Sequence, residues 1–215
     1  MEKQQPFGDN RDQIIRKDAR GCFVEVKNDC FHLEKVHLQF VTYDLSRPKG
    51  ERYTNNIHIY IDMPDFLVLA QDAATGALHI RMQQLKQAGR TEPLYEHLGG
   101  TSAHQLAYYS RSRPDGMSLS RVVKLVPAAK SDYFLTADSG PGEESKTGLI
   151  VPKFGKSPEQ HVSVILTIRQ LNELLFTTVE HYRAWLSAKY MAEWQTIHSQ
   201  RSAERNRGKR GAKNQ

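Results

Sequence analysis

Ile57, Ile59 and Ile61 alternate strictly with Asn56, His58 and Tyr60, and the chain then passes directly into Asp62-Met63-Pro64-Asp65. Period-two alternation puts the isoleucines on one face of a strand and the polar and aromatic residues on the other. Asp62 supplies a capping residue, Pro64 is tolerated in a first helical turn, and Asp65 suits the positive end of the helix dipole. Phe66, Leu69, Ala70, Ala73 and Ala77 follow at helical spacing. A half-buried strand therefore runs straight into an amphipathic helix. Gly76 marks a kink or fraying point, and Gly89 the terminus.

The same construction recurs about half a chain length later. Val162, Val164 and Leu166 alternate with His161, Ser163 and Thr167, and Thr167-Ile168-Arg169-Gln170 has the form of a capping box. Leu171, Leu174, Leu175, Val179, Tyr182, Trp185 and Leu186 then share one helical face. This is the pattern of a duplicated unit, strands followed by one helix. Turn signals at Asn28-Asp29 and at Ser46 to Gly50 separate strands over 22–27, 33–43 and 55–62 in the first half. In the second half, strands are expected over 105–113, 118–126, 133–137 and 148–154, with a hairpin turn at Pro114-Asp115-Gly116.

Charge is unevenly distributed. Of the net +6, five charges fall in 200–215, where Arg201, Arg205, Arg207, Lys209, Arg210 and Lys213 face Glu204 alone. That segment has no Leu, Ile, Val or aromatic residue, so the expectation is a disordered basic arm that seeks an anionic partner. Elsewhere 39% apolar and 25% charged residues describe ordinary globular usage. No apolar run suggests a membrane span, and Met1 to Arg20 lacks the apolar core of a signal peptide. Cys22 and Cys30 alone do not make a disulfide framework or a four-thiolate metal site, which favours a reducing cytoplasm.

With the isoleucines turned inward, parity assigns the opposite face. Val24 and Val26 inward leave Phe23 and Lys27 outside; Val36, Leu38 and Phe40 inward leave Lys35, His37 and Tyr43 outside, beside His58 and Tyr60. In the second half the same rule exposes Tyr109, Arg111 and Arg113, then Arg121 or Lys124. Rings on which bases stack, interleaved with cations that meet phosphates, are what single-stranded nucleic acid requires. These twelve residues and the six tail cations form the expected binding set.

The two junctions, Ile57-His58-Ile59-Tyr60-Ile61-Asp62-Met63-Pro64 and Val162-Ser163-Val164-Ile165-Leu166-Thr167-Ile168-Arg169-Gln170, each followed by an amphipathic helix, carry a resemblance. The chain resembles the Whirly-type and transcriptional positive-cofactor-type single-stranded DNA-binding proteins, and more distantly the PUR repeats. The resemblance spans 21–194 and is one of pattern, so it transfers no individual binding residue. It implies a Whirly-like α+β fold, two repeats of antiparallel sheet followed by one helix, in a homodimer or larger homo-oligomer. Glu2, Asp9, Asp12 and Asp18 make the N-terminus too acidic for a transit peptide, which points to a bacterial or mobile-element protein.

Other chemistries find little footing. Gly140 to Thr147 nearly spells a phosphate-binding loop, but Ser145 replaces its second glycine, and Glu143 and Glu144 would repel phosphate. None of the nine histidines falls in a metal-binding motif, although His37 and His58 can meet across strands. No nucleophile signature or carboxylate cluster stands out, so no cofactor, metal or catalytic residue is expected. The sequence thus predicts segments 1–19, 20–90, 91–199 and 200–215 in a non-catalytic, weakly sequence-specific single-stranded DNA-binding protein. Rival readings are an RNA-binding protein, a replication or transcription regulator, and a protein-interaction module with a solubilising tail.

Overall fold

The computed structural model describes residues 12–211, with side chains described up to 199. Strands β1 (Gln13–Ala19), β2 (Cys22–Lys27), β3 (Lys35–Tyr43) and β4 (Tyr53–Asp62) form an antiparallel sheet in chain order. Helices α1 (Met63–Ala74) and α2 (Ala77–Gln87) follow. Then come β5 (Tyr95–Thr101), α3 (Ala103–Tyr108), β6 (Ser118–Pro127), β7 (Tyr133–Glu144), β8 (Ile150–Pro152), β9 (Gln160–Leu166) and α4 (Ile168–Gly211). The second sheet is also antiparallel, ordered β5-β6-β7, with β8 and β9 end to end on the far edge of β7. The class is α+β.

Parity on the first sheet is as the alternation predicts. Val24, Phe40 and Ile57 lie side by side across β2, β3 and β4, as do Val26, Leu38 and Ile59, and all are at most 2% exposed. On the second sheet Val123, Ala137 and Val162 form one buried row, and Leu125, Leu135 and Val164 another. β9 crosses all four strands of the first sheet, so the two apolar faces cover each other. Phe66 and Leu69 of α1 and Leu171, Leu174 and Leu175 of α4 close the core against Leu38, Ile61 and Leu125. Each such side chain contributes about 1.5–3 kcal/mol through burial.

Helix ends follow their local chemistry. In α4 the capping box forms: Thr167 N donates to Gln170 Oε1 at 2.9 Å, and Gln170 N donates to Thr167 Oγ1 at 3.2 Å. Asp62, by contrast, caps nothing with its side chain, because its carboxylate takes Lys35 Nζ at 2.5 Å instead. Gly76, at φ 78°, separates α1 from α2.

The structure corrects the sequence reading at five places, one being β7, which runs on to Glu144 past its expected end at 137. The segment 105–113 is not a strand: Ser102 caps α3 by accepting from Gln105 N at 3.2 Å, and a loop follows. β1 forms among the charged residues assigned to an N-terminal segment, and β5 forms where no alternation announced it. The backbone of α4 is helical through Gly211, where a disordered arm was expected from 200. Ala, Arg, Glu, Gln and Lys all favour helix, and extending a nucleated helix costs little. Residues from Glu180 onward make up a second unit, distinct from the compact unit that ends at Val179. Among the described residues no helix is long and apolar enough to cross a membrane.

Gly100 on β5 is held against β6, where a Cβ would stand 2.3 Å from the Leu119 carbonyl oxygen. Gly100→Ala must push the strands apart, and we expect a loss of about 1–3 kcal/mol, read as a lower urea midpoint.

Candidate nucleic-acid interface

The polar face of the first sheet is not an open platform. Phe23 is 2% exposed: the Arg16 guanidinium lies 3.5 Å over its ring, and Tyr43 and Tyr53 pack at 6.2 and 6.0 Å. His37 is 4% exposed, stacked on Tyr60 at 4.6 Å. Placing these two residues on an exposed surface is therefore overturned. Alternation fixes which side of the pleat a residue takes, but neighbouring long side chains decide whether that side meets water.

The cations are mostly neutralised. Lys27 pairs with Glu25 at 3.1 Å, Lys35 with Asp62 at 2.5 Å and Lys124 with Glu96 at 3.2 Å. Arg113 is clamped between Asp115 at 2.7 Å and Glu159 at 2.6 Å, which raises its pKa. Of six expected cations outside the tail, Arg111 and Arg121 pair with no carboxylate among the described residues. Arg201, Arg205, Arg207, Lys209 and Arg210 lie on the helical backbone of α4, and Lys213 lies outside the described residues.

What the fold does bring together is a groove of about 630 Å³ where the free edge of β4 meets β5, β6 and the end of α3. His58, Tyr60, Tyr109 and Arg121 from the expected set line it, joined by His97, Thr101 and the glycine pair Gly99 and Gly100. His97 Nε2 donates to the Tyr60 carbonyl at 3.1 Å and seams β5 to the β4 edge. Arg121 Nη1 donates to Thr101 Oγ1 at 3.0 Å. Burial pulls the Arg121 pKa below its ordinary value, with Tyr60 alone opposing the shift. Tyr109 is 64% exposed and meets Tyr108 edge-on at 5.0 Å.

Behind the groove lies a polar chain that sequence reasoning saw only in part. Asp29 takes His37 Nδ1 at 2.9 Å, and His37 Nε2 meets His58 Nδ1 at 2.8 Å. Burial drives the His37 pKa down, and burial with the neighbouring His37, Lys27 and Arg121 pulls His58 down to about 4. Cys30 adjoins Asp29, which together with burial pushes its thiol up to about 11. The Asp29 carboxylate, the Cys30 sulfur and a His37 ring nitrogen lie within 4.8 Å of one another, and the His37 nitrogen that faces Asp29 is taken up by the hydrogen bond between them. The His37 and His58 pairing was readable from parity; the Asp29 contribution depends on a tight turn and a short 3-10 helix, Phe31–Leu33, that alternation does not reveal.

No family model, curated protein or solved structure matches this chain.

Both imidazoles are held below the usual histidine pKa of 6.5, so between about 6.5 and 4 the unfolded chain binds protons that the folded chain refuses. Stability is fully present above that window and declines as pH falls through it. We expect a lower urea midpoint at pH 5 than at pH 7, with His58→Asn narrowing the difference.

Proposed function

We infer that the protein binds single-stranded DNA without catalysing a reaction, holding unpaired bases in the groove between the β4 edge and β5. The carrying observation is a cleft that combines the rings of His58, Tyr60, His97 and Tyr109 with a half-buried guanidinium, Arg121, that no carboxylate among the described residues neutralises. Bases stack on rings whatever their sequence, and a desolvated guanidinium attracts phosphate or base carbonyls. Two antiparallel sheets, one before α1 and one before α4, accord with the Whirly-like duplication that the junctions suggest. The basic end of α4 supplies long-range attraction, and a cytoplasmic bacterial or mobile-element protein acting on transiently unpaired DNA accords with the composition. RNA remains the rival ligand for the same groove.

A second reading, a protein-interaction module, draws on α4 beyond Glu180, where Tyr190, Met191, Trp194 and Ile197 are 47–59% exposed. The same residues offer a contact for a homo-oligomer.

Fluorescence polarisation with labelled 30-mers separates these readings. We expect tight binding to single strands at low salt, weaker binding to duplex, and a loss of about tenfold or more in the Tyr109→Ala, Arg121→Ala double variant. Truncation after Gln200 should flatten the salt dependence by up to about four units of log–log slope. Absence of any polarisation change at low salt would leave the interaction-module reading standing.

A further inference from the structure

The hydrogen-bond chain behind the groove has a direction. An ionised carboxylate only accepts, so Asp29, at 2.9 and 3.0 Å from His37 Nδ1, requires the proton on that nitrogen. His37 is neutral, because burial lowers its pKa, and its Nε2 therefore carries a lone pair. That lone pair accepts from His58 Nδ1 at 2.8 Å, which fixes the His58 proton on Nδ1. His58 is neutral as well, with a pKa of about 4, and so its Nε2 has no hydrogen to offer. The ring nitrogens of an imidazole point in diverging directions, so Nε2 is turned away from His37. His58 lines the groove, and nothing among the described residues donates to Nε2. On the same groove, Arg121 spends one N–H on Thr101 and keeps the rest of its five donors.

A fixed acceptor beside a fixed donor cation is a recognition element. Resting on the single-strand reading above, we propose that the groove selects an unpaired keto pyrimidine, thymine or uracil, with His58 Nε2 accepting from the ring N3–H and Arg121 donating to an adjacent carbonyl. Cytosine presents a lone pair at N3, which faces the His58 lone pair and leaves both unsatisfied. Adenine has a lone pair at N1 and no carbonyl. Guanine has a ring N–H but a carbonyl on one side only, and ranks between. The stacking surfaces are indifferent to these distinctions; the selectivity comes from the tautomer that Asp29 sets two residues away in the hydrogen-bond chain.

Competition binding with dT30 and dC30 on the full chain tests this, since the two oligomers share backbone and ring size. We expect wild-type protein to prefer dT30 by about tenfold. His58→Phe keeps a ring in the groove and removes the acceptor, and should bring the two oligomers within about twofold, chiefly by weakening dT30. A dT30 carrying methyl groups at N3 should bind the wild-type protein no better than dC30, a comparison that needs no variant to fold. U30 and C30 tell the two sources of the base apart: a tighter dT30 assigns DNA and a tighter U30 assigns RNA, each with its preference over the matching cytosine oligomer. Tight but equal binding of dT30 and dC30, or a preference that survives in His58→Phe, overturns base selection and leaves single-strand binding intact. Failure of every oligomer to bind overturns both.

Discussion

The compact unit depends on the unlike faces of β4. Ile57, Ile59 and Ile61 cannot remain in water, and the second sheet together with α1 and α4 covers them. Covering one face commits the other, because a strand cannot turn a single residue without turning its neighbours. His58 and Tyr60 are therefore carried to the side away from the core, while the edge of β4, the last strand of its sheet, is brought against β5. The groove is a consequence of how the apolar faces pack. Gly99 and Gly100 of β5 line it: a Cβ at Gly99 would lie 3.7 Å from His97 Nε2, and one at Gly100 would run into the Leu119 carbonyl oxygen.

Electrostatics sharpen which part of this surface matters. Lys27, Lys35, Arg113 and Lys124 sit beside carboxylates that cancel the field an anionic polymer would feel, and the exposed pairs of Lys35 and Lys124 contribute little to stability. A broad basic sheet is thus replaced by a single guanidinium in a partly desolvated cleft, where each interaction is stronger for want of competing water. Charge that is unbalanced at long range lies instead in the last part of α4, beyond Gln200. If the chain binds single strands as proposed, attraction and recognition are divided between different stretches of it.

Much of the fold was legible in the residues, and the failures have physical causes. Alternation located β4 and β9, turn signals bounded β2, β3, β6 and the first part of β7, and the Thr167 capping box located the start of α4. The residues from Gln105 to Arg113 alternate acceptably, but Ser102 sits where its side chain can cap, and a local cap outcompetes a strand that has no partner ready. β5 was missed because Gly99 and Gly100 interrupt its pattern, and β1 because its exposed face is charged. At the site, parity found His58, Tyr60 and Arg121. It could not find that Phe23 is roofed by Arg16, because that contact joins strands whose register is set by a turn. Nor could it find Asp29, whose role depends on where a tight connection places one carboxylate.

A row of polar groups through the middle of a sheet is expensive unless every member is satisfied. Replacing His37 by an apolar residue would remove that cost and leave the sheet pairing untouched, so stability alone gives no reason for an Asp29-His37-His58 chain. What the chain provides is preorganisation. An isolated exposed histidine divides its proton between two nitrogens and titrates near neutrality, so it presents a donor at one moment and an acceptor at another. Anchoring His37 to Asp29 removes the first freedom, and burying both rings beside Lys27 and Arg121 removes the second. On the proposed reading, the groove would meet its ligand with one hydrogen-bonding pattern already set, and no part of the binding free energy would go to choosing it.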